Sequence, residues 1–188
     1  MTAHATTPCI AFDGPHKIAA GPLAYVAALV KQRGGEGLVL IYDAETARPI
    51  EIDLRGTLAE VLDRLPPGEA AQEVKRGPGR PKLGVVAREV TLLPRQWAWL
   101  ATQSGGASVA LRRLVDEARK ASGGKDERRA RQEAAYRFMT AMAGDETHYE
   151  EAVRALFAGD AGRFEAATAD WPQDVRTAAE GFAAKAFG

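Results

Sequence analysis

Apolar and polar positions fall into blocks with different periods along this chain. Pro8 to Phe12 is a short apolar run that stops at the turn pair Asp13-Gly14, and it predicts a strand. Leu23, Val26, Ala27 and Val30 recur at three- and four-residue spacing, which predicts a helix over 22–31 closed by Gly34-Gly35. Leu38 to Tyr42 is a second strand-like run. Beyond a turn at 43–49, Ile50, Ile52 and Leu54 alternate with Glu51, Asp53 and Arg55, so 38–54 is expected to be a hairpin. Thr57 with Glu60 three residues on predicts a capped helix that ends at Pro66-Pro67-Gly68.

The pattern then changes. Residues 67–84 are rich in Pro, Gly and charge and read as a linker. Arg88 to Leu93 is β-prone, Pro94 suits the first turn of a helix, and Ser104-Gly105-Gly106 breaks that helix before a second one over 107–120. Ser122-Gly123-Gly124 marks another boundary. After it, Ala134, Ala135, Phe138, Met139 and Met142 line one helical face, and Tyr149, Ala152, Val153, Leu156 and Phe157 line the next. Phe164 marks a third helix, and Val175, Ala179 and Phe182 a fourth. Gly144-Asp145 and Gly159-Asp160 each fit a helix stop followed by a cap. The expected class is therefore α+β: a βαββα unit over 8–66, the linker over 67–84, a strand-helix-helix over 85–121, and a helical bundle over 125–187.

Charge sharpens this division. The 188 residues hold 25 basic and 25 acidic side chains. Residues 75–131 alone carry 14 basic and 5 acidic ones, between flanks of −4 and −5. A basic block between acidic flanks is either a solvated helix face or the electrostatic footprint of a nucleic-acid surface.

Within that block, Lys75-Arg76-Gly77-Pro78-Gly79-Arg80-Pro81-Lys82 resembles an AT-hook. The resemblance implies that Gly79, Arg80 and Pro81 enter the narrow minor groove of A-T-rich DNA, with Arg80 inserted and Arg76 and Lys82 on phosphates. Pro78 departs from the pattern, because the strongest hooks carry a second core arginine there. The bland reading is a stiff basic linker. Residues 86–120 resemble a ribbon-helix-helix module, in which two chains pair one strand each and lay the ribbon in the major groove. The resemblance implies outward strand residues drawn from Arg88, Val90, Thr91 and Leu92. It implies a phosphate grip at Gly106, Ala107 and Ser108. It also implies a shared dimer core of Trp97, Leu100, Leu111, Leu114 and Val115. Arg112 and Arg113 would add phosphate contacts, or instead face the acidic parts. The strand is unusually apolar for that family and leaves its register open. A generic β-α-α piece is the alternative.

Nearly the whole chain also resembles an uncharacterised bacterial protein family. The resemblance lies in Phe12-Asp13-Gly14, Asp53-Leu54-Arg55-Gly56, Gly79 to Gly84, Val90-Thr91-Leu92-Leu93-Pro94 and Ala110 to Leu114. It implies no particular activity.

Catalytic and metal constellations are not legible. His4, His16 and His148 are scattered, with His16 and His148 expected to be exposed, and Cys9 reads as a small buried residue. Asp43, Glu45, Glu51 and Asp53 form a carboxylate group without a nearby His, Lys or Cys partner. Trp97 follows an apolar stripe, while Trp99, two residues on, belongs at an interface or against nucleic acid. A lone cysteine and no long apolar run fit a cytoplasmic, soluble protein. The expected function is double-stranded DNA binding by a homodimer, in transcriptional regulation or a nucleoid role, with no enzyme activity, cofactor, metal or membrane contact. The rival expectation is an adaptor or antitoxin-like subunit whose C-terminal helices bind a partner protein.

Overall fold

The computed structural model describes residues 3–34, 38–68, 86 and 88–187. They belong to two compact units: Met1–Ala71 with Asp126–Gly188, and Gln72–Lys125. The hook-like segment, with Arg76, Gly79, Arg80, Pro81 and Lys82, lies outside the described residues.

The first unit begins with strands β1 (Pro8–Asp13) and β2 (His16–Pro22), helix α1 (Leu23–Gln32), strand β3 (Val39–Asp43) and helix α2 (Leu58–Arg64). The sheet is antiparallel with order β2-β1-β3, so β1 is the central strand. That position explains its unbroken apolar run, since both faces are covered. Cys9 and Ala11 face the cluster of Leu23, Val26 and Val30 from α1. Ile10 and Phe12 face the opposite core.

Two local expectations change. The order is ββαβα rather than βαββα, because β2 is a strand that His-Lys-Ile-Ala-Ala-Gly-Pro does not advertise. Few of those residues favour a strand. A bulge also slips the register between Ala11↔Ala19 and Phe12↔Lys17, which breaks the period of two. Residues 50–54 do not form the third strand expected of the βαββα pattern. Their alternation is real, since Ile50, Ile52 and Leu54 all pack on the α1 cluster. Pairing with β3 stops after Tyr42↔Pro49 and the bond from Ile50 N to Ile41 O (2.8 Å). Beyond that point side chains take the carbonyls: Lys31 donates to Leu54 O (2.8 Å), and Arg64 donates to Asp53 O (2.9 Å) and to Arg55 O.

Helix α2 starts as its sequence predicts. Thr57 and Glu60 satisfy each other's backbone N–H groups in a capping box. Replacing Thr57 with Ala should cost about 1 kcal/mol, read as a lower urea midpoint at unchanged slope. An unchanged midpoint would mean that α2 frays without loss to the fold.

The same unit continues with helices α5 (Lys125–Ala143), α6 (Tyr149–Ala158), α7 (Ala161–Thr168) and α8 (Gln173–Ala183). All four correspond to the predicted helices. Gly159 ends α6 in a left-handed conformation and the Asp160 side chain caps α7, accepting from Arg163 N (3.0 Å). Gly144-Asp145 does not repeat this arrangement; His148, at φ +63°, precedes α6 instead.

The N-terminal part and the helical bundle, separate in the sequence pattern, share one core. Phe138 of α5 meets Phe12 of β1 (ring centroids 5.5 Å), Tyr42 of β3 (5.6 Å) and Phe182 of α8 (5.1 Å). Lys17 N of β2 donates to Asp174 of α8 (2.9 Å). Among the described residues, no helix is long and apolar enough to cross a membrane.

The second unit contains helices α3 (Pro94–Ala101) and α4 (Gly106–Ser122). The strand expected at 88–93 is not formed within the chain. Among the described residues the second unit contains no other strand that could pair with its backbone N–H and C=O groups.

Candidate nucleic-acid interface

Helix α3 starts at Pro94, whose missing N–H costs nothing in a first turn. Leu93 N donates to Gln96 Oε1 (2.8 Å), which fixes the entry. Helix α4 follows Gly105, which sits at φ +83°. A Cβ there would come within 3.1 Å of the Val109 side chain, so the turn needs glycine for both space and conformation.

Along α4, Ala107, Ala110, Leu111, Leu114 and Ala118 recur at three- and four-residue spacing. Only Ala110 on α4 and Leu100 on α3 are buried. The residues expected in a dimer core divide accordingly. Leu100 is covered within the chain and Leu111 is half-buried, whereas Trp97 (44% exposed), Leu114 and Val115 (56% exposed) stand open. Val90, Leu93 and Val109 are open as well. Val109, outside the apolar spacing, interrupts the polar face of α4.

The residues expected to touch DNA lie on the remaining surface. Arg88, Thr91, Gly106, Ser108, Arg112 and Arg113 are all exposed. Gly106 and Ser108 sit in the first turn of α4, where no side chain caps the free N–H groups. Arg112 Nε donates to Ser108 O (3.2 Å), and Arg113 lies 3.8 Å from Glu117 in an exposed i,i+4 pair. The side chains of Arg88, Arg95, Arg119 and Lys120 make no hydrogen bond or ion pair among the described residues.

Most arginines of the first unit behave differently. Arg33 pairs with Asp13, Arg55 with Asp53, Arg129 with Glu133, and Arg154 and Arg163 with Glu151. Arg131 and Arg137 donate to the carbonyls of Glu45 and Thr46. The basic block read from the sequence therefore splits. Arg129 and Arg131, on α5, pair within the first unit, whereas the side chains of Arg88, Arg95 and Arg119 have no partner among the described residues.

Other candidate chemistry is used structurally. Asp43 Oδ1 accepts from Glu45 N (2.9 Å), Thr46 N (2.7 Å) and Thr46 Oγ1 (2.9 Å), and so ties its own turn. The Arg55 fork, then Arg64, holds the Asp53 carboxyl below the usual carboxylate range. Among the described residues, no group of three or more His, Cys, Asp or Glu could hold a metal. Cys9 is buried, and its thiol is pushed up to about 11 by desolvation and then by the Asp43 charge. His16 and His148 are exposed, as expected.

Residues 8–183 match the family described as "Uncharacterized protein conserved in bacteria (DUF2239)". The chain belongs to that family. The match spans both compact units of this DUF2239 protein, so the basic helical pair lies inside the family's span rather than appended to it. No curated protein and no solved structure matches the chain.

Proposed function

We propose that this DUF2239 protein binds double-stranded DNA as a homodimer in the cytoplasm, in a regulatory or nucleoid role. The observation that carries the reading is the contrast in how cations are used. Most arginines of the first unit are spent on internal pairs, while the side chains of Arg88, Arg119 and Lys120 of the second have none among the described residues. Exposed cations without partners are available to displace counterions from phosphates. Ser108, Arg112 and Arg119 fall along one stripe of α4 that borders the apolar one, with Val115 at the boundary.

The uncovered Trp97, Leu114 and Val115 support the dimer. A helical pair that buries two side chains of its own is too small to be stable alone, and such segments gain their core by oligomerising. In this reading Arg88 and Thr91 approach the major groove, Gly106 and Ser108 grip a phosphate, and Arg80 reaches an adjacent minor groove.

The test is fluorescence anisotropy of A-T-rich and G-C-rich duplexes across a salt series, with sedimentation of the protein alone. Each neutralised phosphate should contribute about −0.9 to the slope of log affinity against log salt. Expected results are a steep slope, an A-T preference, and a dimer that Leu114→Asp converts to a monomer. Absence of duplex binding at low salt would overturn the reading.

A second reading is a partner protein docked on the C-terminal helices, in an adaptor or antitoxin-like role. Exposed Tyr136 and Phe157, in ring contact at 5.8 Å, favour it. Loss of DNA binding with Tyr136 and Phe157 replaced by Ala would join the two readings; retention would separate them.

A further inference from the structure

The duplex-binding reading leaves Trp99 without a role. On α3, Leu93, Trp97 and Leu100 form one stripe, and buried Leu100 shows which side of the helix turns inward. Arg95, Trp99 and Thr102 form a second stripe on the opposite side, by the helical repeat. A second copy that covered Trp97 would therefore leave Trp99 in water.

Trp99 is 48% exposed. The side chain of Arg95, one turn before it, has no hydrogen bond or ion pair among the described residues. One turn after it, Thr102 Oγ1 donates to Trp99 O (2.8 Å), and Gln103 Nε2 lies 3.3 Å from that hydroxyl. An exposed indole between a cation and polar side chains matches a nucleotide: the ring takes the face of a base, and the guanidinium takes the neighbouring phosphate. The setting agrees in charge, since residues 72–125 carry 11 basic and 4 acidic side chains. Bases inside a duplex are stacked on each other and do not offer a face to a helix.

We infer that the Arg95–Trp99–Thr102 face of α3 is a stacking platform for single-stranded DNA, separate from the duplex surface. The contact is sequence-tolerant, because every base has a π face.

The full-length chain carrying Trp97→Phe tests this. In that protein Trp99 is the exposed indole, since Trp171 is buried with its N–H bonded to Thr147 O (2.9 Å). An oligo(dT) strand, a duplex of the same length and heparin are titrated at matched salt. Oligo(dT) is expected to quench the indole emission, and heparin is not. Trp99→Ala should weaken oligo(dT) binding about tenfold, Trp99→Phe should lose less, and duplex affinity should stay within about twofold. Three outcomes overturn the inference: no quenching by oligo(dT), equal quenching by heparin, or an equal loss for both nucleic acids with helicity retained. The quenching arm needs no substitution at Trp99, so it stands even if Trp99→Ala fails to fold. Oligo(dT) binding without duplex binding would sink the duplex reading and leave the platform intact.

Discussion

Replacing Phe138 with Ala is expected to destabilise the first unit by about 3–5 kcal/mol, the range for removing a buried aromatic ring. Phe138 is fully buried and touches rings from β1, β3 and α8. Its loss leaves a cavity bordered by residues far apart in sequence, and close-packed neighbours fill such a space poorly. Both ends of the chain should therefore weaken together. Cys9 reports on the sheet, because its thiol is buried and held in the unreactive protonated form. Trp171 reports on the helices. In a background without Trp97 and Trp99, thiol labelling and Trp171 emission should change at the same urea concentration, and both midpoints should fall in Phe138→Ala. A shift in one with the other unmoved would mean two independent cores.

The second large effect concerns the cations. Replacing Arg88, Arg112, Arg119 and Lys120 with Gln should weaken duplex binding on the order of a hundredfold at moderate salt. The salt slope should become shallower by about 3.6 for each chain that contacts the duplex, at about 0.9 per phosphate. The matched control replaces Arg33, Arg129, Arg154 and Arg163, which pair with Asp13, Glu133 and Glu151 in the first unit. That control removes charge from the chain but not from the proposed surface, so its slope should match the wild type. Equal losses from both sets would point to net charge rather than to the helical pair.

The hairpin expected at 38–54 shows where pattern reading stopped. A period of two correctly placed Ile50, Ile52 and Leu54 toward the core. Burial follows side-chain alternation, whereas strand pairing depends on which donors reach the backbone. Lys31 and Arg64 reached the carbonyls at 53–55 first. β2 failed in the opposite sense: its residues have little strand preference, and β1 pairs with it regardless.

Candidate chemistry divides along a similar line. The chain itself announced a basic centre and an apolar stripe through Trp97, Leu111 and Leu114, because composition and helical spacing are local properties. It did not announce which arginines were already engaged. Arg131 and Arg137 reach carbonyls 86 and 91 residues away. Such pairings leave no trace in spacing.

Local order was therefore determined by the sequence alone: the helices after Gly124, the Thr57 capping box, the Asp160 cap and the placement of Pro94. Each depends on residues within one or two turns of one another. Tertiary structure decided that Phe12 and Phe182 share one core, that β2 is a strand, and that Arg131 and Arg137 are engaged while the side chains of Arg88, Arg95 and Arg119 have no partner among the described residues. Those outcomes rest on contacts between distant segments, where packing and charge pairing override local preference.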